Sequence, residues 1–392
     1  MAGSSEKMGV LVRQINNPAA GLDYGLLAFS GMGWLQNKQF GFASCPRKIG
    51  SAEGINVLVE KNNDIVLTNI EYCDFAKANI PDQPIRSGEP YSQFSSNTNI
   101  LFAHLPSLAR KVRQCPFPGL LVNWKENGDQ RIGRLESTMQ NIADAFMEPK
   151  EESVYPKHTY ITYNQRQKTI STAKRAYIEG KILTETPEAC FYERMQEARA
   201  LLQMLSFNVP AACSLEAYLQ SGPDLSFFYH PALGPLYAII RQKMRGGSMG
   251  LGSHMELEIA DVDIENIHLK GALTVRAHRV MGLLNRSGRL IYNQSVTGRA
   301  ILRNVRIANA GVDWDQSRPF WKGAYQYKEQ LSILLEGFSE LVATDVTLTG
   351  NHVIVVPHGR RLYLTTGSNG ELEQKWEPIG SKHPLWRYTP ST

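Results

Sequence analysis

"ENIHLKG" (265–271), "RNVRIANAG" (303–311) and "TDVTLTG" (344–350) are three versions of one small unit. In each, an apolar-x-apolar pair (Ile267/Leu269, Val305/Ile307, Val346/Leu348) follows a polar turn residue and precedes a glycine. Alternation with period two puts both members of a pair on one face of a strand. The units start 38 and 41 residues apart, which is room for about two coils of ~18–20 residues each. That spacing fits a stacked β-solenoid, in which each coil buries its face only against its neighbours. An antiparallel sandwich has a similar density of strands and is the alternative.

Working back from Met255, the texture changes. Residues 9 to 182 alternate short apolar runs with Gly, Asn and Pro. GVLVRQI (9–15), NVLVE (56–60), DIVLTNIEY (64–72), TNILFAHL (98–105) and HTYITYN (158–164) read as strands. Helical patterns lie between them: LPSLARKVRQ (105–114) and STMQNIADAF (137–146), the latter with Met139, Ile142, Ala143 and Phe146 on one face. The mixture predicts an α/β layer domain. Residues 184–206 give the clearest helix, with Thr186 as cap, Pro187 in the first turn, and Ala198, Leu201, Leu202 and Leu205 as its apolar stripe. SGPDLSFFYHPALGP (221–235) is broken by Pro and Gly and reads as a connector. The expected organisation is an α/β domain over 1–182, a helical connector over 183–248 and a β-rich domain over 249–392.

A chain of 392 residues, 42% hydrophobic and 20% charged, describes a soluble globular protein of two domains or more. The net charge of +5 suits an anionic ligand, and no dense Lys/Arg run supports a nucleic-acid partner. Five scattered cysteines without a CxxC pair fit a reducing compartment, neither a disulfide framework nor a zinc site. No apolar run approaches the roughly 20 residues of a membrane span. The opening MAGSSEKMG has neither a signal core nor transit character, so the expected location is cytoplasmic.

Three stretches carry polar residues that local structure does not demand. In "SSNTNILF" (95–102), Asn97 and Asn99 sit two apart, so an extended chain points both amides to one face; a turn ahead of the strand is the plainer account. In "GRLESTMQNIAD" (133–144), Arg134, Glu136 and Gln140 gather at a helix start, where they could read sugar hydroxyls and hold a phosphate, or merely complement the helix dipole. In "YNQRQKTISTAKR" (163–175), Arg166, Lys168, Lys174 and Arg175 alternate with hydroxyls and no compensating acid, as an anion site or a solvated basic loop would. "RQKMRGGS" (241–248) lacks strand-loop-helix context and reads as structural. There is no GxGxxG, no GxxxxGK[ST], no HExxH and no Gly-Gly-x-Gly-Thr loop to cradle a triphosphate.

In order, NTN, RLESTMQ and the basic YNQRQK segment ending in TAK resemble the UDP-sugar pyrophosphorylases, in particular the plastid-type UDP-glucose pyrophosphorylases linked to sulfolipid synthesis. "FGFASCPRKIGSAEGINVLVEKNN" (40–63), "YHPALGPLYAIIRQKMRGGS" (229–248), "NVRIANAGVDWD" (304–315) and "VPHGRRLYL" (356–364) extend the likeness across essentially the whole chain. The resemblance implies a partial Rossmann-like nucleotidyltransferase domain followed by a left-handed parallel β-helix, often used in oligomer contacts. It implies glucose 1-phosphate, UDP-glucose or UTP as ligands. Asn97 and Asn99 would bond glucose hydroxyls, and Glu136 would read the sugar with Arg134 and Gln140 beside it. Glu53 and Gly54 match a loop passing the hexose, with Glu71 and Tyr72 in the next strand. Lys168 or Lys174, near Arg166, would hold the sugar phosphate and act as the catalytic cation.

Two departures qualify that picture. Relatives carry an Asp that ligates Mg²⁺ where this sequence reads Ile15-Asn16-Asn17, so Mg²⁺ binding is expected to be weakened. The family's N-terminal half, with its glycine loop, has no counterpart in this sequence. The expectation is a sugar-phosphate-site portion of a uridylyltransferase, inactive as an isolated chain. The rivals are a non-catalytic nucleotide-sugar binder, a degenerate paralogue, or one half of a split enzyme whose partner chain carries the glycine loop.

Overall fold

The computed structural model describes residues 8–150, 155–234, 236–278, 282–284, 290–292, 298–315 and 324–380. The chain divides into two compact units, Met1–Ala173 and Lys174–Thr392.

The first unit is built on a mixed sheet. Its elements are β1 (Gly9–Val12), α1 (Tyr24–Leu35), β2 (Phe40–Lys48), β3 (Ile55–Lys61), β4 (Asp64–Ile70), α2 (Tyr72–Lys77), β5 (Tyr91–His104), α3 (Leu105–Gln114), the hairpin β6 (Leu120–Asn127) and β7 (Gln130–Ser137), a 3₁₀ turn over Met139–Phe146, β8 (Glu148–Pro149) and β9 (Thr159–Tyr163). The sheet runs β8-β4-β3-β5-β2-β9, with β1 added antiparallel to the end of β5. β2 is antiparallel to β5 but parallel to β9. Each face of the sheet buries its own cluster. Phe40, Phe42, Leu101, Ile142 and Phe146 form one, and Phe29, Ala43, Ile100, Phe102 and Tyr160 the other. Phe40 stacks on Phe146 at 6.0 Å, and the Tyr160 hydroxyl donates to Phe29 O at 2.6 Å. This is the α/β layer arrangement that the alternation of elements predicts.

Three local expectations change. The strand read at 98–105 is the end of a 14-residue strand, β5. The helix expected at 137–146 is a 3₁₀ turn that buries Ile142, Ala143 and Phe146 but leaves Met139 half exposed. Threefold winding moves a residue off the stripe that a 3.6-residue period would give it. Arg134 and Glu136 lie not at a helix start but on β7.

In the second unit, Thr186 caps the helix Pro187–Met204 as expected, its hydroxyl accepting from Ala189 N at 3.3 Å. Ala198, Leu201, Leu202 and Leu205 are buried. The chain then passes back and forth between two parallel ladders. One contains Phe207–Asn208, Met244–Met249, Asp261–Lys270, Arg299–Arg303 with Arg306–Ala308, Glu340–Thr344 with Thr347–Thr349, and Arg360–Thr366. The other contains Leu225–Tyr229, Ser253–Glu258, Ala272–Ala277, Leu331–Leu335 and His352–Val356. The stretch 221–235, read as a connector, thus supplies the first strand of the second ladder. Pro and Gly break the sequence on either side of that strand, not within it. A final strand, Leu372–Pro378, closes the first ladder antiparallel to Arg360–Thr366.

Register stacks like on like. Val262, Ala300, Leu341 and Leu362 form one column, and Leu257, Val275, Ile333 and Ile354 another. All six residues of the repeated apolar pairs are at most 2% exposed, and Leu269, Ile307 and Leu348 align in register. The polar residue opening each unit is Asn266, Asn304 or Asp345, and each has positive φ, between 52° and 53°. Asn and Asp tolerate that left-handed corner because their short side chains bond locally. Here they bond one another. Asn266 Nδ2 donates to Asn304 Oδ1 at 2.9 Å, and Asn304 Nδ2 donates to Asp345 Oδ1 at 2.8 Å.

Candidate functional site

The polar residues of the first unit converge where β5 is irregular. The β2–β5 register shifts between Ala43 and Ser44, so that Ala43 faces Ile100 and Ser44 faces Asn97. The residues passed over are Thr98 and Asn99, and Asn99 takes φ 54°. This is a bulge, not the unbroken strand that simple alternation assumes. The two amides do come together, but through each other: Asn97 Nδ2 donates to Asn99 Oδ1 and Asn99 N donates to Asn97 Oδ1, both at 3.0 Å.

Asn97 N also donates to Gly54 O at 2.8 Å, which ties the bulge to the 53–54 loop. Next to it, the Glu53 carboxylate accepts from Ser96 Oγ at 2.8 Å and from both terminal nitrogens of Arg166, with Nη1 at 3.0 Å. Arg166 Nη1 further donates to Pro46 O at 2.9 Å. Glu53 is buried, at 9% exposed, and Arg166 is half-buried. Burial works against the Arg166 charge, but the hydrogen bonds it donates to Glu53 prevail and the Arg166 pKa is raised. The neighbouring Cys45 thiol is pushed up to about 12, chiefly by burial, with Arg166 opposing. It stays a protonated, inert thiol at neutral pH.

Gly54 also borders a second group. A Cβ added there would lie 2.5 Å from Asn69 Oδ1, so only glycine lets the loop run this close. Asn69 Nδ2 donates to Glu71 Oε1 at 3.1 Å, Gln140 Nε2 donates to the same oxygen at 3.3 Å, and Asn141 Nδ2 donates to Asn69 O at 3.0 Å. Asn56 and Asn69 face each other across β3 and β4. Both are buried, and each leaves its Oδ1 without a hydrogen-bond partner. The fold therefore gathers Glu53, Gly54, Asn97, Asn99, Glu71, Gln140 and Arg166 in one linked polar patch. Its amides offer donors and acceptors of the kind that read hydroxyl groups. Sequence reasoning missed Asn56, Asn69, Asn141 and Ser96. The signal available was asparagine inside the otherwise apolar strands INVLVEK and DIVLTNI.

The remaining candidates lie elsewhere. Arg134 and Glu136 pair with each other on β7, with 60% and 32% of their side chains exposed. Lys168 Nζ stands 3.7 Å from Asp23. Lys174 begins the second unit and pairs with Glu185 at 2.8 Å. The 163–175 segment is thus not the uncompensated basic run its local sequence suggests, because Glu53, Asp23 and Glu185 supply the acids. At the position where the resemblance places a metal carboxylate, Asn16 Nδ2 donates to Ala173 O at 3.1 Å. Among the described residues no three His, Cys, Asp or Glu side chains gather as a metal site. A neutral amide engaged in this way does not fit a protein-held Mg²⁺, which favours carboxylate and phosphate oxygens.

The architecture of the second unit has a named counterpart: residues 244–392 match the family model described as UGP3-like, C-terminal hexapeptide repeats. The chain is also 35% identical, over 93% of its length, to UTP–glucose-1-phosphate uridylyltransferase 3, chloroplastic, of Arabidopsis thaliana, and it spans 44% of that relative. The likeness to plastid-type UDP-glucose pyrophosphorylases read from the motifs therefore holds along nearly all of this chain. Matches among solved structures include the uridine diphosphate N-acetylglucosamine pyrophosphorylase of Trypanosoma brucei, with TM-score 0.38, 15% identity, and coverage of 50% of this chain and 37% of that one. Another is UDP-glucose pyrophosphorylase of Leishmania major in complex with UDP-glucose, with TM-score 0.31, 14% identity, and coverage of 87% and 57%. No helix among the described residues is long and apolar enough to cross a membrane.

Proposed function

We propose that this chain is the sugar-phosphate-binding portion of a UTP–glucose-1-phosphate uridylyltransferase, its polar patch seating the hexose and its C-terminal ladders forming a left-handed β-helix. The observation that carries the reading is the 35% identity to a uridylyltransferase over 93% of the chain. In the overall reaction a phosphate oxygen of glucose 1-phosphate bonds to the α-phosphorus of UTP. The bridging bond to the β-phosphate breaks, and pyrophosphate leaves. The part played by this chain is orientation of the attacking sugar phosphate, a gain in proximity. Asn97, Asn99, Glu71 and Gln140 take the hydroxyls, and Lys168 is the cation of the basic segment best suited to the phosphate. Any Mg²⁺ in this reading travels with the substrate phosphates. Five free cysteines suit a reducing compartment, whether cytoplasm or plastid stroma.

A specific feature fits a further polypeptide segment on this face, whether of the same chain or of a partner. Helix α1, YGLLAFSGMGWL, is apolar on all sides, and such a helix is usually buried all round. Here Tyr24, Leu27, Trp34 and Leu35 are more than half exposed. Beside it an apolar groove of about 500 Å³, lined by Val10, Leu11, Leu27, Trp34 and Phe102, runs along β1, whose only ladder partner among the described strands is β5. A polypeptide carrying the triphosphate site would pair with that edge and cover that face.

The test is calorimetric binding of glucose 1-phosphate and UDP-glucose, together with pyrophosphate release from UTP and glucose 1-phosphate. The expected result is sugar binding without appreciable turnover by the chain alone, and turnover once a glycine-loop half is added. Robust turnover by the chain alone, or failure to bind either sugar ligand, would overturn the reading.

A further inference from the structure

The motif YHPALGP, which the sugar site does not use, borders a cavity in the second unit. The strands Leu225–Tyr229 and Ser253–Glu258 run side by side, with Phe228 opposite Glu256 and Tyr229 opposite Leu257. Against them lies a pocket of about 370 Å³, whose lining includes Phe228, Tyr229, Pro231, Glu256, Glu258 and Tyr325. This volume is in the range that takes a small ligand. Among the described residues Phe228, Tyr229, His230 and Tyr325 line it with two glutamates, and no Lys or Arg does.

Among the described residues the charge balance is negative. Glu256 Oε1 accepts from Arg276 Nη2 at 2.8 Å, and its Oε2 lies 3.7 Å from His254 Nε2. His254 is fully buried, with Ser226 Oγ 2.7 Å from Nδ1 and the Tyr327 hydroxyl 3.2 Å from Nε2. Burial holds its pKa below the ordinary histidine value, so it brings no positive charge at neutral pH. Arg276 lies near enough to feel both glutamates, but it is one cation for two anions. The Glu258 carboxylate makes no hydrogen bond or ion pair among the described residues and feels Arg276 only at longer range.

An anionic ligand such as a nucleotide sugar is repelled by this lining. Aromatic faces attract cations through their quadrupoles, and an uncompensated carboxylate adds to that attraction. We propose that this pocket binds a small organic cation, an alkylammonium or guanidinium ion, against the rings of Phe228 and Tyr325, whose centroids are 6.1 Å apart, with Glu258 as its counter-ion. Nothing in the sugar-phosphate reading depends on it.

The probes are tetramethylammonium and methylguanidinium chlorides, titrated into the full chain by NMR and calorimetry, with sodium chloride as the ionic-strength control. Saturable binding is expected with Kd on the order of 1 mM. Glu258→Gln, at a half-exposed side chain outside the sugar patch, is expected to weaken it roughly tenfold at unchanged melting temperature. Phe228→Leu is expected to weaken it by a similar factor, and both variants are expected to bind glucose 1-phosphate as the parent does. Absence of saturation by either cation up to about 50 mM, or equal affinity in Glu258→Gln, would overturn the proposal. Loss of glucose 1-phosphate binding by the parent would instead strike at the sugar reading and leave this one standing.

Discussion

Asn266 donates its Nδ2 to Asn304 Oδ1 across 2.9 Å, and both residues hold left-handed backbone, each at φ 52°. Corner and ladder are therefore one device, since the same side chain excuses its own backbone and fixes the next rung. Replacing Asn304 with Ala leaves a β-carbon in the left-handed region and removes two side-chain hydrogen bonds. The expected loss is about 1–2 kcal/mol. Asn304→Gly, which relieves the backbone, is expected to lose less. Urea unfolding of the two variants gives the comparison.

Val305 is fully buried in the interior of the second unit. Val305→Asp places a carboxylate there without a partner, at a cost of about 4 kcal/mol or more. Protease resistance and near-ultraviolet dichroism of the second unit are expected to be lost. Retention of both would mean that the side chain faces solvent.

Arg166 forms an ion pair with the buried Glu53. Arg166→Met strands the carboxylate, and the expected destabilisation is about 3–5 kcal/mol. Adding Glu53→Gln is expected to restore much of that loss, because the stranded charge is gone. A double-mutant cycle on melting temperature measures the coupling. Additive effects would mean that the two groups do not meet.

Asn97→Ala is expected to weaken glucose 1-phosphate or UDP-glucose binding by about 1–3 kcal/mol. It is also expected to cost about 1 kcal/mol in stability, because Asn97 Oδ1 satisfies the Asn99 N–H at the bulge. Calorimetry and chemical unfolding separate the two effects. Unchanged affinity would remove Asn97 from the sugar site.

Glu256 is held down to about 2 by the neighbouring His254 and by Arg276, against the effect of burial. A carboxyl with a depressed folded pKa stabilises the protein fully above its unfolded value. That stabilisation drains as pH falls through the window from about 4.5 to about 2. It amounts to about 3 kcal/mol at most. Glu256→Gln is therefore expected to be less stable than the parent at pH 7 and equal to it near pH 2. A stability difference independent of pH would refute the assignment.

Much of the second unit is legible in the sequence because its signals are local. Period-two pairs, the corner Asn or Asp and the following glycine lie within one short window, as do Thr186 and Pro187 at the helix start. The first unit is less legible where its signals are distant or missing. Helix α1 carries no polar face, so no period marks it. The hairpin β6–β7 exposes Leu120, Trp124, Ile132 and Leu135 and gives no inward stripe to read. The bulge at Asn97–Asn99 depends on register with β2, more than 50 residues away, as the Ser44–Ser96 hydrogen bond illustrates. The acids that balance the basic segment are equally remote, Glu53 lying 113 residues from Arg166. A local window holds the motif residues of the patch but not their partners.

In the first ladder every strand through Arg360–Thr366 runs the same way, and each rung is a template on which the next is laid. The closing strand Leu372–Pro378 runs the other way and pairs along Arg360–Thr366 from end to end. A strand of opposite direction cannot continue the stacked columns, and its outer face carries Glu373, Lys375 and Glu377 among others. Edges protected in this manner resist joining to the edges of other molecules. The reversal therefore acts as a terminator: it sets the number of rungs and separates a finite ladder from one that could elongate chain by chain into a fibre.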